Sequence, residues 1–210
     1  MAKKPGAGAG TGPLPDRFDA VTSGLERRVR LCLLSPMSQP REEWFDVVNG
    51  RDEVVGRALR AEVHARGLWH RAVHVLVFDA AGRVFLQKRS MRKDMSPGLW
   101  DSSCSGHLDA GEDYDAAAVR ELGEELGLRG GELPARWLRL EACEETGWEF
   151  CWVYRLRHGG PFALDADEIE GGEWLAAEEL DRRIAARPEE YCPAFRLIWE
   201  RTRLPGPGIG

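Results

Sequence analysis

Three glutamates, Glu121, Glu124 and Glu125, recur within the run Arg120-Glu121-Leu122-Gly123-Glu124-Glu125-Leu126-Gly127. At about 100° per residue, positions i, i+3 and i+4 share one face of a helix. Three carboxylates held that close repel one another and cost the helix stability. A cation is the natural compensation, and dense hard oxygen ligands suit Mg²⁺ or Mn²⁺, ions that commonly bridge to substrate phosphates. Val119, Leu122 and Leu126 fall on the roughly opposite face, which is expected to pack on a sheet. Arg120 flanks the acids and can orient a carboxylate through a bidentate pair. Upstream, Gly106 and Gly111 let the loop Gly106–Glu112 bend and bring backbone close to a metal or phosphate. An acidic run at helical spacing is, taken alone, most often a solvated face. The wider pattern decides the matter.

Elements that would hold these residues can be read along the chain. Residues 1–16 are rich in Gly, Ala and Pro with nothing to pack, so residues 1–40 are expected to be a poorly ordered extension. Globular pattern begins near Trp44. Met37 sits just before that onset, and the expectation is that the functional protein starts there. Trp44–Val48 and Val54–Arg57 read as two short strands about the Asn49-Gly50-Arg51-Asp52 turn, and Arg60–Arg66 as a helix closed by Gly67. Ala72–Phe78 and Val84–Lys88 form a hairpin across Asp79-Ala80-Ala81-Gly82. Asp113–Leu126 is a helix with Gly127 as its stop. Leu138–Cys143, Phe150–Leu156 and Gly172–Leu175 are strands; Ala177–Ala186 and Pro193–Arg201 are helices. One domain over 41–203 and a frayed tail from 204 are expected.

The 210 residues suit one domain with an extension, and 43% hydrophobic with 30% charged residues allow an ordinary core. A net charge of −6 argues against non-specific nucleic-acid binding, where basic surface carries most of the affinity. It leaves a phosphate substrate open, because a divalent ion bridges two anionic partners. No apolar run approaches the roughly 20 residues that span a bilayer. The five cysteines are scattered and form no C-x-x-C pair. A reducing cytoplasm is therefore the expectation.

The residues from Gly106 to Leu128 match G-x5-E-x7-R-E-U-x-E-E-x-G-U, with U aliphatic, at every fixed position. By this match the chain resembles the Nudix superfamily. Seven specified residues at roughly 7% background each coincide by chance on the order of once in 10⁸ start positions. The resemblance extends loosely from Trp44 to Arg201. It implies an α/β/α sandwich about a mixed sheet, with the matched run forming a loop–helix–loop. It also implies a substrate in which a nucleoside diphosphate is linked to another moiety. Glu121, Glu124 and Glu125 then correspond to metal ligands, with the Gly106 carbonyl as another. Glu112 and Arg120 correspond to the positions that brace that cluster. The implied chemistry is in-line attack of water on phosphorus.

Glu121 is the first candidate for taking the water's proton, since crowding raises a carboxylate pKa. Glu144, Glu145, Glu149, Glu168 and Glu170 lie outside the matched run and are further candidates. Lys88, Arg89 and His107 are the expected substrate contacts, with Arg92 and Lys93 nearby and Trp148 and Trp152 as stacking surfaces. His64, His70, His74 and His158 show no ligand spacing. A homodimer through the Trp44–Arg57 strands is a further expectation.

Two other readings compete. Isopentenyl-diphosphate isomerases carry a related W-T-N-S-x-C-G-H run whose Cys takes part in proton transfer and whose His is a metal ligand. The corresponding residues here are Trp100, Asp101, Ser102, Ser103, Cys104, Ser105, Gly106 and His107. Ser105 thus stands at the Cys position, and a one-residue step on a strand turns Cys104 to the other face. A non-catalytic, nucleotide-sensing domain of this type commonly loses acidic positions, and all are kept here.

Overall fold

The computed structural model describes residues 42–130 and 133–204, so the expectations for residues 1–40, Met37 included, and for the tail beyond 204 lie outside it. A hairpin of β1 (Trp44–Val48) and β2 (Val54–Leu59) comes first and forms its own two-stranded sheet. Helix α1 (Arg60–Arg66) stops at Gly67, whose φ of 60° lies in the left-handed region that glycine enters without strain. There follow β3 (His70–Phe78), β4 (Val84–Arg89), β5 (Trp100–Asp101), β6 (Cys104–His107) and α2 (Tyr114–Glu125). The chain continues through β7 (Ala135–Leu140), β8 (Glu149–Arg157), β9 (Ile169–Leu175), α3 (Ala177–Ala186) and α4 (Pro193–Arg203).

Strands β3 to β9 make a seven-stranded sheet in the order β5-β4-β3-β8-β7, with β6 also on β3 and β9 also on β4. Parallel pairing joins β3 to β8, from His70 opposite Glu149 to Phe78 opposite Arg157, and the other pairs are antiparallel. Alternation along β3 sends successive side chains to opposite faces. Val73, Val75 and Val77 pack with Cys104 beneath Tyr114, Ala117, Ala118, Leu122 and Leu126. Leu76 points the other way, with Leu86 and Val153, beneath Leu180 of α3 and Phe195, Ile198 and Trp199 of α4. Burying one such side chain contributes roughly 1.5–3 kcal/mol. The result is the expected α/β/α sandwich about a mixed sheet.

Several boundaries differ from expectation. Strand β3 begins two residues earlier, because His70 and Arg71 already pair with Glu149 and Phe150. β7 ends at Leu140, where its pairing with β8 stops after an irregularity between Arg136 and Leu138. β9 starts at Ile169, where it meets Arg89. Strands β5 and β6 carry too few alternating apolar residues to stand out in the sequence.

Helix α2 needs one correction. Leu122 and Leu126 are buried as expected, but Val119 is 43% exposed, and Glu121 and Glu125 lie within the buried strip. Ala117 and Ala118 have little side chain and let the helix settle against the sheet. The acids therefore press inward beside the leucines, and the acidic and apolar faces adjoin.

Candidate functional site

Asp113 caps α2, accepting from Asp115 N and Ala116 N at 2.9 Å each, which satisfies two of the helix's unpaired N–H groups. At the other end Gly127, at φ 71°, releases the chain, and Leu128 N returns to the Leu122 carbonyl at 3.0 Å. The loop before the helix is held from outside by the hairpin. Gly111 N donates to Asp46 Oδ2 at 2.8 Å and Ala110 N to the Trp44 carbonyl at 2.8 Å. Asp46 was not foreseen as part of the site, since nothing in a lone strand aspartate signals a long-range partner.

Arg120 ties the loop to the helix. Its Nε and Nη2 grip Glu112 as a fork, at 2.9 Å to each carboxylate oxygen. Nη2 also donates to the His107 carbonyl at 2.9 Å, while Nη1 donates to Glu121 Oε1 at 2.7 Å and Glu124 Oε2 at 3.0 Å. Such bidentate, charge-assisted contacts fix geometry as well as adding energy. Glu112 Oε2 further accepts from Asp109 N at 3.0 Å. The structure thus brings Glu112 and Arg120 together with Glu121 and Glu124.

Glu121 and Glu125 are buried, while Glu124 reaches outward. The Glu121 carboxylate lies against Gly106 of β6, and Glu125 Oε2 accepts from Ser105 N and Gln87 Nε2 at 3.1 Å each. Gln87, buried on β4, is a further member that the sequence did not signal. Burial, and next the neighbouring Glu125, push the Glu121 carboxyl up to about 8, although Arg120 pulls the other way. Burial raises Glu125 to about 7 against the opposing Ser105 N–H. Protein atoms alone leave this pair short of positive charge. A divalent cation at these oxygens would supply what is missing.

The cluster lines a cavity of about 940 Å³. Arg89, Lys93, His107, Trp148 and Glu168 also border it. Arg89 is committed inside the protein, donating to Asp101 Oδ2 at 3.1 Å and to the Met95 carbonyl. Lys93 pairs with Glu168, and Arg92 with Asp167. Lys88 does not face the cluster: alternation on β4 turns it to the other side, where Nζ sits 5.0 Å from the Trp100 ring centroid. Trp152 is likewise placed elsewhere, packed on the α2-side core beneath Arg136. Among the remaining glutamates, Glu144, Glu145 and Glu149 border the cavity, and Glu170 is exposed on β9. Ser105 faces the cavity, whereas Cys104 is wholly buried in the core.

Three histidines meet that sequence spacing kept apart. Ring nitrogens of His64, His70 and His107 lie within 4.8 Å of one another, and His107 Nε2 is 3.0 Å from Glu149 Oε1. They come from α1, β3 and β6, so no linear motif signals them. His74 Nδ1 instead contacts Ser102 Oγ at 2.9 Å, and His158 stacks on Phe162.

A family profile described as the NUDIX domain matches residues 68–195. A relative from Shigella flexneri, named as the uncharacterized Nudix hydrolase YfcD, is 37% identical over 154 residues, covering 72% of this chain and 81% of the relative. A Burkholderia multivorans relative named isopentenyl-diphosphate Delta-isomerase is 34% identical over 167 residues, covering 78% of this chain and 95% of the relative. The crystal structure of DR0079 from Deinococcus radiodurans superposes with a TM-score of 0.70 at 32% identity, covering 77% of this chain and 100% of that one.

Proposed function

Because the chain belongs to the Nudix family, we propose that it uses water and a divalent cation to cleave the pyrophosphate linkage of an organic diphosphate, a nucleoside diphosphate joined to another group being the leading class. The observation that carries this reading is the pair of buried carboxyls, Glu121 and Glu125, with raised pKa values at the wall of the cavity. Glu121, Glu124, Glu125 and the Gly106 carbonyl would offer an ion an all-oxygen donor set of the kind that suits Mg²⁺ or Mn²⁺, with the outward-reaching Glu124 turning in to join it.

When bound, that ion supplies charge neutralisation at the phosphates and activates water as a nucleophile. The chain's own residues do the rest. Arg120 holds Glu121 Oε1, so Oε2 is the atom that takes the attacking water's proton. Glu112 keeps Arg120 in place and thereby keeps the loop at hydrogen-bonding distance from the helix. Trp148, 41% exposed at the cavity, offers a flat apolar face to a base or ring. His107 and Lys93 border the same space as polar contacts. A cavity of this volume is at the upper end of those that take small organic ligands, about 300–1,000 Å³. The scattered cysteines favour a reducing cytoplasm as its location.

The isomerase-named relative makes isomerisation the second reading. Ser105 at the position facing the cavity, with Cys104 turned into the core, disfavours a thiol-based proton transfer. A panel of diphosphates that includes isopentenyl diphosphate, supplied with Mg²⁺ or Mn²⁺ and followed by mass analysis, tests both. Metal-dependent phosphate-ester products support hydrolysis. Formation of the dimethylallyl isomer without phosphate release overturns it, and binding without turnover points to a sensor.

A further inference from the structure

The β1–β2 hairpin makes its own sheet, yet it grips the loop before α2 and the start of the helix itself. The Trp44 carbonyl accepts from Ala110 N and Asp46 Oδ2 from Gly111 N, both at 2.8 Å. At the hairpin's turn, Asp52 Oδ2 accepts from the Tyr114 hydroxyl at 2.9 Å and Oδ1 from Arg71 Nε at 2.6 Å. Tyr114 is the first residue of α2. The hairpin therefore brackets residues 110–114, the stretch that carries Glu112.

Asp46 makes the contact with the most specific chemistry. Its carboxylate is buried and both oxygens are in use, Oδ1 by Arg57 Nε at 3.0 Å and Oδ2 by Gly111 N. The Arg57 side chain is 60% exposed, so solvent screens that ion pair and it adds little. The bond to Gly111 N is different. Gly111 sits at φ 86°, and glycine has the widest backbone freedom of any residue. A charge-assisted bond there removes freedom that the loop would otherwise keep.

The next residue is Glu112, whose carboxylate is gripped by the Arg120 fork. The same guanidinium touches Glu121 and Glu124. If the loop moves and Glu112 withdraws, Arg120 is left with Glu121 and Glu124 as its only carboxylates, and it competes with a cation for their oxygens. We propose that Asp46 is a positioning residue for the α2 site: by holding Gly111 N it keeps Glu112 on Arg120, and so keeps Glu121 and Glu124 free to take a divalent ion. Asp46 does not border the cavity, so it acts only through the loop. The role rests on the reading of α2 as the metal-binding helix.

Asp46→Ala and Asp46→Asn in the full chain test it. Both lose the ion pair with Arg57, so a merely structural role predicts equal damage. Asparagine keeps a carbonyl oxygen for Gly111 N once the exposed Arg57 swings away. In metal-free protein, exchange of the Gly111 amide, followed by NMR, is expected to quicken at least about tenfold in Asp46→Ala and to stay near wild type in Asp46→Asn. Calorimetric affinity for Mn²⁺ is expected to weaken about tenfold in Asp46→Ala and to stay within about threefold of wild type in Asp46→Asn. With an accepted diphosphate, kcat should follow the same order while KM holds. Equal loss of Mn²⁺ affinity in both variants, no Mn²⁺ binding by the wild type, or unchanged Gly111 exchange in Asp46→Ala overturns the proposal. So does a wild-type Gly111 amide that exchanges as fast as in a free peptide, a result that needs no variant to fold. A wild type that binds Mn²⁺ but cleaves no diphosphate overturns the hydrolase reading instead, and the exchange and affinity measurements still decide the role of Asp46.

Discussion

The carboxylate of Glu121 lies so close to the Cα of Gly106 that a Cβ on residue 106 would stand 2.0 Å from Oε1. Residue 106 does not adopt a positive φ, so the close approach alone demands glycine there. Gly106→Ala is expected to displace the carboxylate and lower turnover by about a hundredfold or more, which corresponds to about 2.7 kcal/mol. Gly56→Ala, with open space about the added methyl, is the control and should leave turnover unchanged. Steady-state kinetics on both variants checks this.

Arg120→Lys keeps the charge and loses the fork. Five hydrogen bonds run from this guanidinium to Glu112, Glu121, Glu124 and the His107 carbonyl, and an ammonium on a different stem cannot reproduce them. Stability should fall by about 1–3 kcal/mol, read as a drop in melting temperature, and kcat should fall at least tenfold with a higher metal requirement. Wild-type kcat in the lysine variant contradicts the positioning role.

Glu124→Gln separates metal affinity from folding. Its side chain is 58% exposed, so the fold is expected to be unperturbed by circular dichroism. Turnover at saturating Mg²⁺ is expected to fall by about a hundredfold, because a neutral amide is a poor partner for a hard cation. Full activity in this variant removes Glu124 from the ligand set.

Removing the cation should leave a pH signature. Glu121, raised to about 8, and Glu125, raised to about 7, have folded values above an ordinary 4.5. Native protein then holds more protons than unfolded chain, and these groups lose their stabilising contribution as pH rises toward 8. His64, lowered to about 4 by burial, acts in the opposite sense below about 6.5, so the clean window runs from about 6.5 to 8. Across it the stability in chelator should fall as pH rises, by at most about 1.4 kcal/mol per pH unit for each such group, read as a falling melting temperature. Mg²⁺ or Glu121→Gln should flatten the slope.

How much of this was legible in the sequence depends on whether the information is local. Helix α2 could be read from about Asp113 to its stop Gly127, because periodicity and a glycine stop act over a few residues. The α1 helix and its Gly67 terminus were legible for the same reason. Glu121, Glu124 and Glu125 could be found because one helix carries them all. Gln87, Asp46 and the His64–His70–His107–Glu149 group could not, since each reaches its partner only through sheet pairing or the hairpin's docking. Lys88 failed for a subtler reason: a strand's alternation is clear, but which parity faces the cavity is set by where α2 packs, on the side of Phe85 and Gln87. Val119 failed because a helical wheel fixes angles, while the small Ala117 and Ala118 decide which of those angles meets the sheet.

The central claim, that this site directs water onto phosphorus with a divalent ion held by α2, is tested most directly by hydrolysis in ¹⁸O-labelled water. With Mg²⁺ or Mn²⁺ and an accepted diphosphate, one labelled oxygen should appear in a phosphate product, and none should appear in chelator or in Glu125→Gln. Label that appears equally without metal, or product whose phosphates carry no label, contradicts the account.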